Sequence, residues 1–233
     1  MCGRFTLTTN DYHAVAAALE AEVEAEDAHA YRSRFNVAPG DPHWAVVASV
    51  RGRRMRPASW GLPGPAGNPA PSPTGHINAR AETLHVRPAF VEALHERRCI
   101  VPADGFYEWT GPKDHRLPIW FHPADGILAF AGLWGEYVDD HTGEVTMRFT
   151  IVTTAANDRV APVHDRMPVI LAADARAAWL DPTTTVDAAQ ALLRPAPAAL
   201  LEATEVSARV NRVANDDAAC IVPTPHPRQQ TLF

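Results

Sequence analysis

The succession of short apolar segments constrains the fold of this chain more than any other feature of its sequence. The segments are bounded by turns, and they show no regular alternation of strands with helices. An order dominated by strands, with helices between them, is typical of α+β proteins. We therefore predict an α+β domain with a curved, largely antiparallel, barrel-like sheet flanked by helices. The predicted strands cover 44–50, a second strand towards Trp60, 99–102, 106–109, 118–122, 127–134, 147–154 and 204–210.

Periodic apolar residues predict helices at 11–25, 88–97, 173–180 and 185–193. Thr8 or Asn10 is the expected N-cap of the first of them. The apolar face of that helix consists of Tyr12, Val15, Ala16, Leu19 and Val23.

Two segments are predicted to lack regular structure. The stretch 61–75 is rich in proline and glycine, which predicts a loop, either a lid or a mobile connector. The last residues, 223–233, are predicted to form a flexible tail. The rest of the 233-residue chain suits one domain, and we expect a monomer.

Composition narrows the classes of function. No apolar stretch approaches the length of a membrane span, and no signal peptide is apparent, so we expect a cytoplasmic protein. The formal net charge of −6 argues against a protein that coats nucleic acid without specificity. The stretch "RGRRMR" (51–56) is nevertheless basic, and it is either a solvated hairpin tip or part of an anion-binding surface.

The three cysteines differ in their chemical setting. Cys99 and Cys220 each open an apolar "CIVP" segment, which predicts small buried residues. Their spacing predicts neither a metal site nor a disulfide, and we expect no cofactor. Cys2 follows the initiator methionine, so removal of Met1 would leave a free α-amino group and a thiol on one residue. No other position in a chain offers that pair.

Glu108 is a candidate acid or base. In a strand through "GFYEW", Phe106 and Glu108 share one face, with two aromatic residues on the other. Neither face is typical of solvent, so Glu108 is predicted to be partly buried and to have a raised pKa. The alternative is a structural carboxylate paired with an arginine such as Arg4 or Arg80.

Two further side chains are candidates. His164 follows a predicted strand and precedes Asp165 and Arg166, which suits a proton shuttle, although a loop histidine is commonly a surface residue. Asn78 within "INARAET" offers an amide that can orient a substrate, although asparagine in a loop commonly closes a turn. The sequence does not establish that these groups meet.

Short motifs occur along the chain in one order, and together they resemble the SOS response-associated peptidase (SRAP) family, whose members act at abasic sites in DNA. The resemblance extends from residue 2 to about residue 170, and it continues more loosely through "VSARVNRVANDD" (206–217). The motifs are "MCGRF" at the start, "NVAPG" (36–40), "SWGL" (59–62), "INARAET" (77–83), "ADGFYEW" (103–109) and "HDRMP" (164–168).

The resemblance implies a partner, single-stranded DNA that contains an abasic site, and a covalent bond between Cys2 and the sugar aldehyde. It implies supporting roles for Asn78, Glu108 and His164. Phosphate contacts would fall to arginines in the same motifs, namely Arg4, Arg80 and Arg166. Lyase and self-processing peptidase activities are possible additions. Relatives often carry aromatic residues in the loop after "WG", and their absence from 61–75 predicts weaker stacking on DNA.

Two other functions compete with this interpretation. An N-terminal-nucleophile amidohydrolase begins with a similar "MCG", but it needs an Asn-Gly pair that this chain lacks. A non-covalent module for single-stranded DNA would need no reactive cysteine, and its binding would depend strongly on salt.

Overall fold

A computed structural model describes residues 2–64, 72, 74–112, 115–138 and 143–224. Its strands are β1 (Phe5–Leu7), β2 (Ala21–Glu22), β3 (Arg34–Val37), β4 (Pro42–Ser49), β5 (Gly52–Trp60), β6 (Asn78–Arg80), β7 (Arg98–Ala103), β8 (Gly105–Thr110), β9 (Leu117–His122), β10 (Leu128–Val138), β11 (Val145–Ala155), β12 (Arg166–Pro168) and β13 (Glu202–Glu205). The α-helices are α1 (Tyr12–Ala18), α2 (Ala25–Ala28), α3 (Val91–Glu96), α4 (Ala173–Leu180) and α5 (Val186–Ala191).

Five strands close into a barrel. Antiparallel pairs join β5 to β4, β4 to β7, β7 to β10 and β10 to β11, and a short parallel pairing of β11 with β5 completes the ring. Closure leaves these strands without long free edges, which removes a route to aggregation. The predicted α+β, barrel-like architecture is confirmed.

A second sheet lies against this barrel and carries the amino end of the chain. Its strand order is β13–β9–β8–β1–β3. The apolar inner faces of both sheets form one cluster, in which Phe5, Phe106, Phe130 and Phe149 are fully buried. The residues just before β1 are therefore held beside β8 and close to the barrel.

The predicted helix at 11–25 is wrong in its second half. Helix α1 ends at Ala18, and Glu20 adopts a left-handed backbone conformation with φ of 52°. The chain then pairs β2 in parallel with β5, which satisfies backbone groups that a longer helix would use internally. The N-cap of α1 is Asp11, not Thr8 or Asn10. The Asp11 carboxylate accepts hydrogen bonds from the backbone N–H groups of the second and third residues of the helix.

The predicted strand at 204–210 is also partly wrong. Strand β13 ends at Glu205, and Ala208–Asn211 form a 3₁₀ turn capped by the Ser207 hydroxyl. Alternating apolar residues suggested a strand, but the Val210 carbonyl in this segment accepts hydrogen bonds from the side chains of Arg4 and Asn36 instead of from a neighbouring strand. The short strands β1, β3, β6 and β12 were not predicted, because three or four residues show no clear period.

The remaining predictions agree with the structure to within a few residues, and helix α4 matches its prediction at both ends. Most of the predicted 61–75 loop, at 65–71 and 73, lies outside the described residues. So does the predicted tail from residue 225 onwards. The first two residues of the predicted 223–233 tail are described: Pro223 lies opposite Val206 in an isolated antiparallel bridge, and the Thr224 N–H donates to the Glu205 carbonyl. No helix within the described residues is long and apolar enough to cross a membrane.

Candidate active site

Cys2 lies at the junction of the two sheets, immediately before β1. It is fully buried, and its carbonyl oxygen accepts a hydrogen bond of 2.8 Å from Nδ2 of Asn78. The Arg4 carbonyl accepts from the backbone N–H of Tyr107, so the chain beside Cys2 is fixed to β8. Two independent elements thus hold the amino end of the chain in one position.

Glu108 extends from β8 towards the same place. Its side chain shares a face with Phe106 and with its cross-strand neighbour Ile119, and Glu108 is only 4% exposed. Burial raises the pKa of Glu108 to about 7, so this carboxyl can hold or release a proton near neutral pH. Burial, followed by the charge of Glu108, raises the pKa of the Cys2 thiol. That coupling shows that Glu108 and Cys2 are close.

Asn78 lies on β6, which runs parallel to β11 with Asn78 opposite Ile151. Its Nδ2 is used by the Cys2 carbonyl, whereas its Oδ1 is buried with no hydrogen-bond partner among the described residues. An unsatisfied buried acceptor carries a free-energy cost, so a function is expected for it. It is placed to accept a hydrogen bond from a group bound beside Cys2.

His164 lies in the turn between β11 and β12. The backbone N–H of Arg166 donates to its Nδ1 over 2.9 Å, and Oδ1 of Asp165 lies 3.0 Å from the same nitrogen. Burial lowers the pKa of His164, which favours the neutral ring at pH 7. With Nδ1 accepting from Arg166, the neutral ring carries its proton on Nε2.

Packing places His164 and Glu108 in one region, because Val163, beside His164, and Ile119, opposite Glu108, pack against the apolar cluster that contains Cys2. Asp165 raises the pKa of both Glu108 and His164, and the exposed Arg116 lowers it in both. The structure therefore brings together the four predicted groups, Cys2, Asn78, Glu108 and His164. The sequence alone did not establish this grouping.

The three predicted phosphate-binding arginines differ in their surroundings. Nη1 of Arg4 donates to Oδ1 of Asn36 and to the Val210 carbonyl, both over 2.9 Å. Arg80 is exposed at the end of β6, next to the site. Both terminal nitrogens of Arg166 bond to the Glu82 carboxylate. Of the three, Arg80 is the most accessible to a phosphate.

The alternative role of Glu108, as a carboxylate paired with Arg4 or Arg80, stays a prediction. The guanidinium of Arg4 bonds to Asn36 and Val210 and lies 5.9 Å from the centre of the Trp109 ring. Burial has the largest effect on the pKa of Glu108 and raises it, whereas the charges of the amino terminus and of Arg116 lower it.

A buried polar cluster beside the site was missed by sequence reasoning. Asn36 is fully buried, and its Nδ2 donates to the carbonyls of Val210, Arg212 and Asn215. Asp216 accepts from Arg34 and from two backbone N–H groups of β3. The motifs "NVAPG" and "VSARVNRVANDD" supplied the signal, because both contain polar residues within apolar surroundings.

Glu82 was also missed, although it lies in "INARAET". Its carboxylate pairs with Arg166 at 2.7 and 2.9 Å, and this side-chain hydrogen bond lowers the pKa of Glu82. Among the described residues, no group of three or more histidine, cysteine, aspartate or glutamate side chains is placed to hold a metal ion.

Fold and site together define a class of α+β protein whose candidate site is built around a cysteine at the amino end. The model of the SOS response associated peptidase (SRAP) family matches residues 1–213. The chain belongs to this family.

Named relatives and solved structures resemble most of the chain. The abasic site processing protein YoaM of Bacillus subtilis is 36% identical over 227 residues, which cover 94% of this chain and 96% of YoaM. The abasic site processing protein YedK of Escherichia coli is 32% identical over 184 residues, covering 77% of this chain and 79% of YedK. A crystal structure of a Bacteroides thetaiotaomicron protein has the same fold, with a TM-score of 0.81 at 22% identity, covering 96% and 100% of the two chains.

Proposed function

We propose that this protein processes abasic sites in single-stranded DNA by joining the lesion covalently to the mature amino terminus at Cys2. Three of its features support the proposal: family membership, the names of the relatives, and the grouping of Glu108, Asn78 and His164 around Cys2. The main observation behind the proposal is that Asn78 donates a hydrogen bond to the Cys2 carbonyl, close to the carboxyl of Glu108, whose pKa is about 7.

The first nucleophile in this scheme is the α-amino group of Cys2 after removal of Met1. An α-amino group has an ordinary pKa of about 7.7–8.0, so a useful fraction is neutral at physiological pH. The buried thiol, whose pKa is raised, is protonated and a weak nucleophile at that pH. The amine therefore attacks the aldehyde of the ring-opened sugar, and loss of one water gives an imine.

The thiol then adds to the imine. Sulfur bonds to the imine carbon, the thiol proton passes to nitrogen, and a five-membered thiazolidine closes. This step is intramolecular, and well-oriented groups reach effective molarities of about 10⁵ M or more. Ring closure removes the imine that would otherwise hydrolyse or promote β-elimination, so the strand stays intact.

The neighbouring side chains supply proton transfer and orientation. Protonated Glu108 donates to the oxygen that leaves as water, and its carboxylate recovers a proton afterwards. Neutral His164, with its proton on Nε2, assists opening of the sugar ring. Asn78 holds the Cys2 main chain through Nδ2 and accepts from the incoming group through Oδ1. Arg80 binds a phosphate beside the lesion.

Intact mass spectrometry tests the proposal. Untagged protein is mixed with a single-stranded oligonucleotide that carries one abasic site, and the mixture is denatured in SDS. We expect one species with the mass of protein without Met1 plus oligonucleotide minus one water. Cys2→Ala should form only a labile imine and cleave the strand by β-elimination. Cys220→Ser, at a second buried cysteine, should react like the wild type.

Other results would reject the proposal. Binding that is strongly salt-sensitive, independent of the lesion and never covalent would favour the non-covalent module. An adduct of unchanged yield in Cys2→Ala would exclude the thiazolidine. Release of ammonia from glutamine, without any DNA adduct, would favour the amidohydrolase.

A further inference from the structure

Two elements of the candidate site flank the same strand. On one side of β11, strand β6 carries Asn78 and leads directly into the 3₁₀ turn Ala81–Thr83. On the other side, β12 begins at Arg166, two residues after His164, and pairs Arg166 with Ala155. Asn78 and His164 thus belong to segments that are distant in sequence and that flank β11 on opposite sides.

An ion pair between Arg166 and Glu82 connects these two segments directly. Nη1 and Nη2 of Arg166 donate to Oε1 and Oε2 of Glu82 at 2.7 and 2.9 Å, a bidentate geometry that fixes the guanidinium plane. Nη2 also donates to the Thr153 carbonyl of β11 over 2.7 Å. The Arg166 side chain is 14% exposed and that of Glu82 is 50% exposed, so the pair is buried on its arginine side and open to solvent on its carboxylate side.

The same arginine holds the imidazole through its main chain. The Arg166 N–H donates to Nδ1 of His164, which sets the ring's orientation and leaves the proton on Nε2. A shift of the Arg166 backbone would move this donor and release the ring. The side-chain anchor at Glu82 and the main-chain contact to His164 therefore act in series.

We propose that Glu82 is a positioning residue for the reaction at Cys2, acting through Arg166 on His164. The inference rests on the proposed function. Glu82 touches neither the lesion nor Cys2 in this scheme, and its role is to hold the His164 turn in register with the Asn78 strand. Arg166 is the link between them, because its terminal nitrogens bond to Glu82 and Thr153. Its contact with a DNA phosphate stays a prediction.

The test is a double-mutant cycle read as the rate of covalent adduct formation at saturating abasic-site oligonucleotide. Glu82→Gln keeps the size of the side chain and removes its charge. We expect it to slow the adduct about tenfold or more in the wild-type background, since small misplacements of a reacting group are costly. In the His164→Ala background the same substitution should have almost no effect, because the group that it positions is gone.

A second readout separates positioning from binding. The affinity for a lesion-free oligonucleotide, measured by fluorescence anisotropy, should change less than twofold in Glu82→Gln. Glu82→Asp, which retains the charge, should recover part of the rate. Glu92→Gln is the matched control, since Glu92 forms a surface ion pair with Arg97 at 3.0 Å, and it should react like the wild type.

Different results would overturn the positioning role of Glu82 and the proposed function. Equal slowing by Glu82→Gln with and without His164 would overturn the positioning role, as would a weaker affinity with an unchanged rate at saturation. If Glu82→Gln shows no cooperative thermal transition, Glu82→Asp enters the same cycle with the same criterion. A wild-type protein that forms no adduct would instead reject the proposed function, and the inference with it.

Discussion

At the scale of single residues, chemical setting separates Cys2 from the other two cysteines. All three are buried, and burial raises the pKa of all three thiols. Only Cys2 has Glu108 among the causes of its shift, and only its main chain is held by Asn78. Burial alone therefore does not distinguish Cys2 from the other two cysteines, whereas its neighbours Glu108 and Asn78 do.

The raised pKa of Glu108 predicts a bell-shaped pH dependence of adduct formation. The rate should rise as the α-amino group loses its proton at about pH 7.7–8.0, and it should be limited by ionisation of Glu108 above about pH 7. In Glu108→Gln the limb near pH 7 should disappear, and the maximum rate should fall about 100-fold. Quenched time courses between pH 5 and 9 measure this. A variant with the wild-type profile would exclude Glu108 as the acid.

The same group predicts a cost in stability. The folded-state pKa of about 7 lies above the ordinary value of 4.5, so folded protein binds more protons than unfolded protein between these values. The Glu108 contribution to the unfolding free energy therefore falls as pH rises from 4.5 to 7, by at most about 3 kcal/mol. Glu108→Gln should be less sensitive to pH in this window. Urea denaturation at pH 4.5 and 7.5 compares the two proteins.

At the scale of elements, the two ends of the 61–75 segment come together at the glycines Gly61 and Gly75. Gly61 has φ of 136°, and a Cβ there would lie 1.6 Å from the Thr74 carbonyl oxygen. Leu62 and His76 form a bridge beside it, so both ends of the segment are fixed even though 65–71 lie outside the described residues.

Gly61→Ala should therefore destabilise the protein by about 3 kcal/mol or more, for two reasons. Alanine is strained at this positive φ, and the backbone of Thr74 must move to make room for the alanine Cβ. Gly126→Ala is the control, since Gly126 also has positive φ, 92°, but open space around its Cβ position. That variant should lose only about 1–2 kcal/mol. Thermal and urea denaturation of both measure the difference, and equal losses would show that the close approach is unimportant.

The carboxy-terminal segment belongs to the site's support. Asp216 bonds to Arg34 and to the backbone of Phe35 and Asn36, and Asn36 in turn holds Arg4. Asp216→Asn should cost about 2–3 kcal/mol, because it leaves the largely buried Arg34 undercompensated. The neighbouring Asp217→Asn should change little, since its pair with Arg209 is solvent-exposed. Similar losses in both variants would contradict this view.

At the scale of the whole molecule, charge is distributed so that much of the basic stretch 51–56 is already neutralised. Arg53 pairs with Glu20, and Arg54 pairs with Glu24, both from the acidic segment that sequence analysis treated as a helix. The stretch is part of β5 and not only a hairpin tip. We therefore expect DNA contacts to come from the site itself.

Salt dependence tests that expectation. Arg80→Ala should weaken binding to a lesion-free single-stranded oligonucleotide and reduce the slope of log affinity against log salt by about 0.7, the loss of one phosphate contact. Arg54→Ala should leave the slope unchanged, because Glu24 already pairs with that arginine. Anisotropy titrations over about 50–300 mM salt, roughly a sixfold range, measure both slopes. The reverse pattern would place the DNA on β5.

The sequence by itself determined the class of fold, the family and the identity of the candidate groups. Strand-rich order indicates an α+β sheet because apolar segments must pair and pack, and Cys2 is marked by its covalent position after Met1. Helix α4 was predictable because the residues that favour a helix there are neighbours in the chain, so no distant contact is needed to define it.

Only the tertiary structure decided how these parts meet. Helix α1 ends at Ala18 because β2 pairs with β5, a contact between residues about thirty apart in the chain. Glu82 and Arg166 pair across β11, and Asn36 bonds to carbonyls more than 170 residues away. Such contacts depend on the closure of the barrel, and no local pattern encodes them.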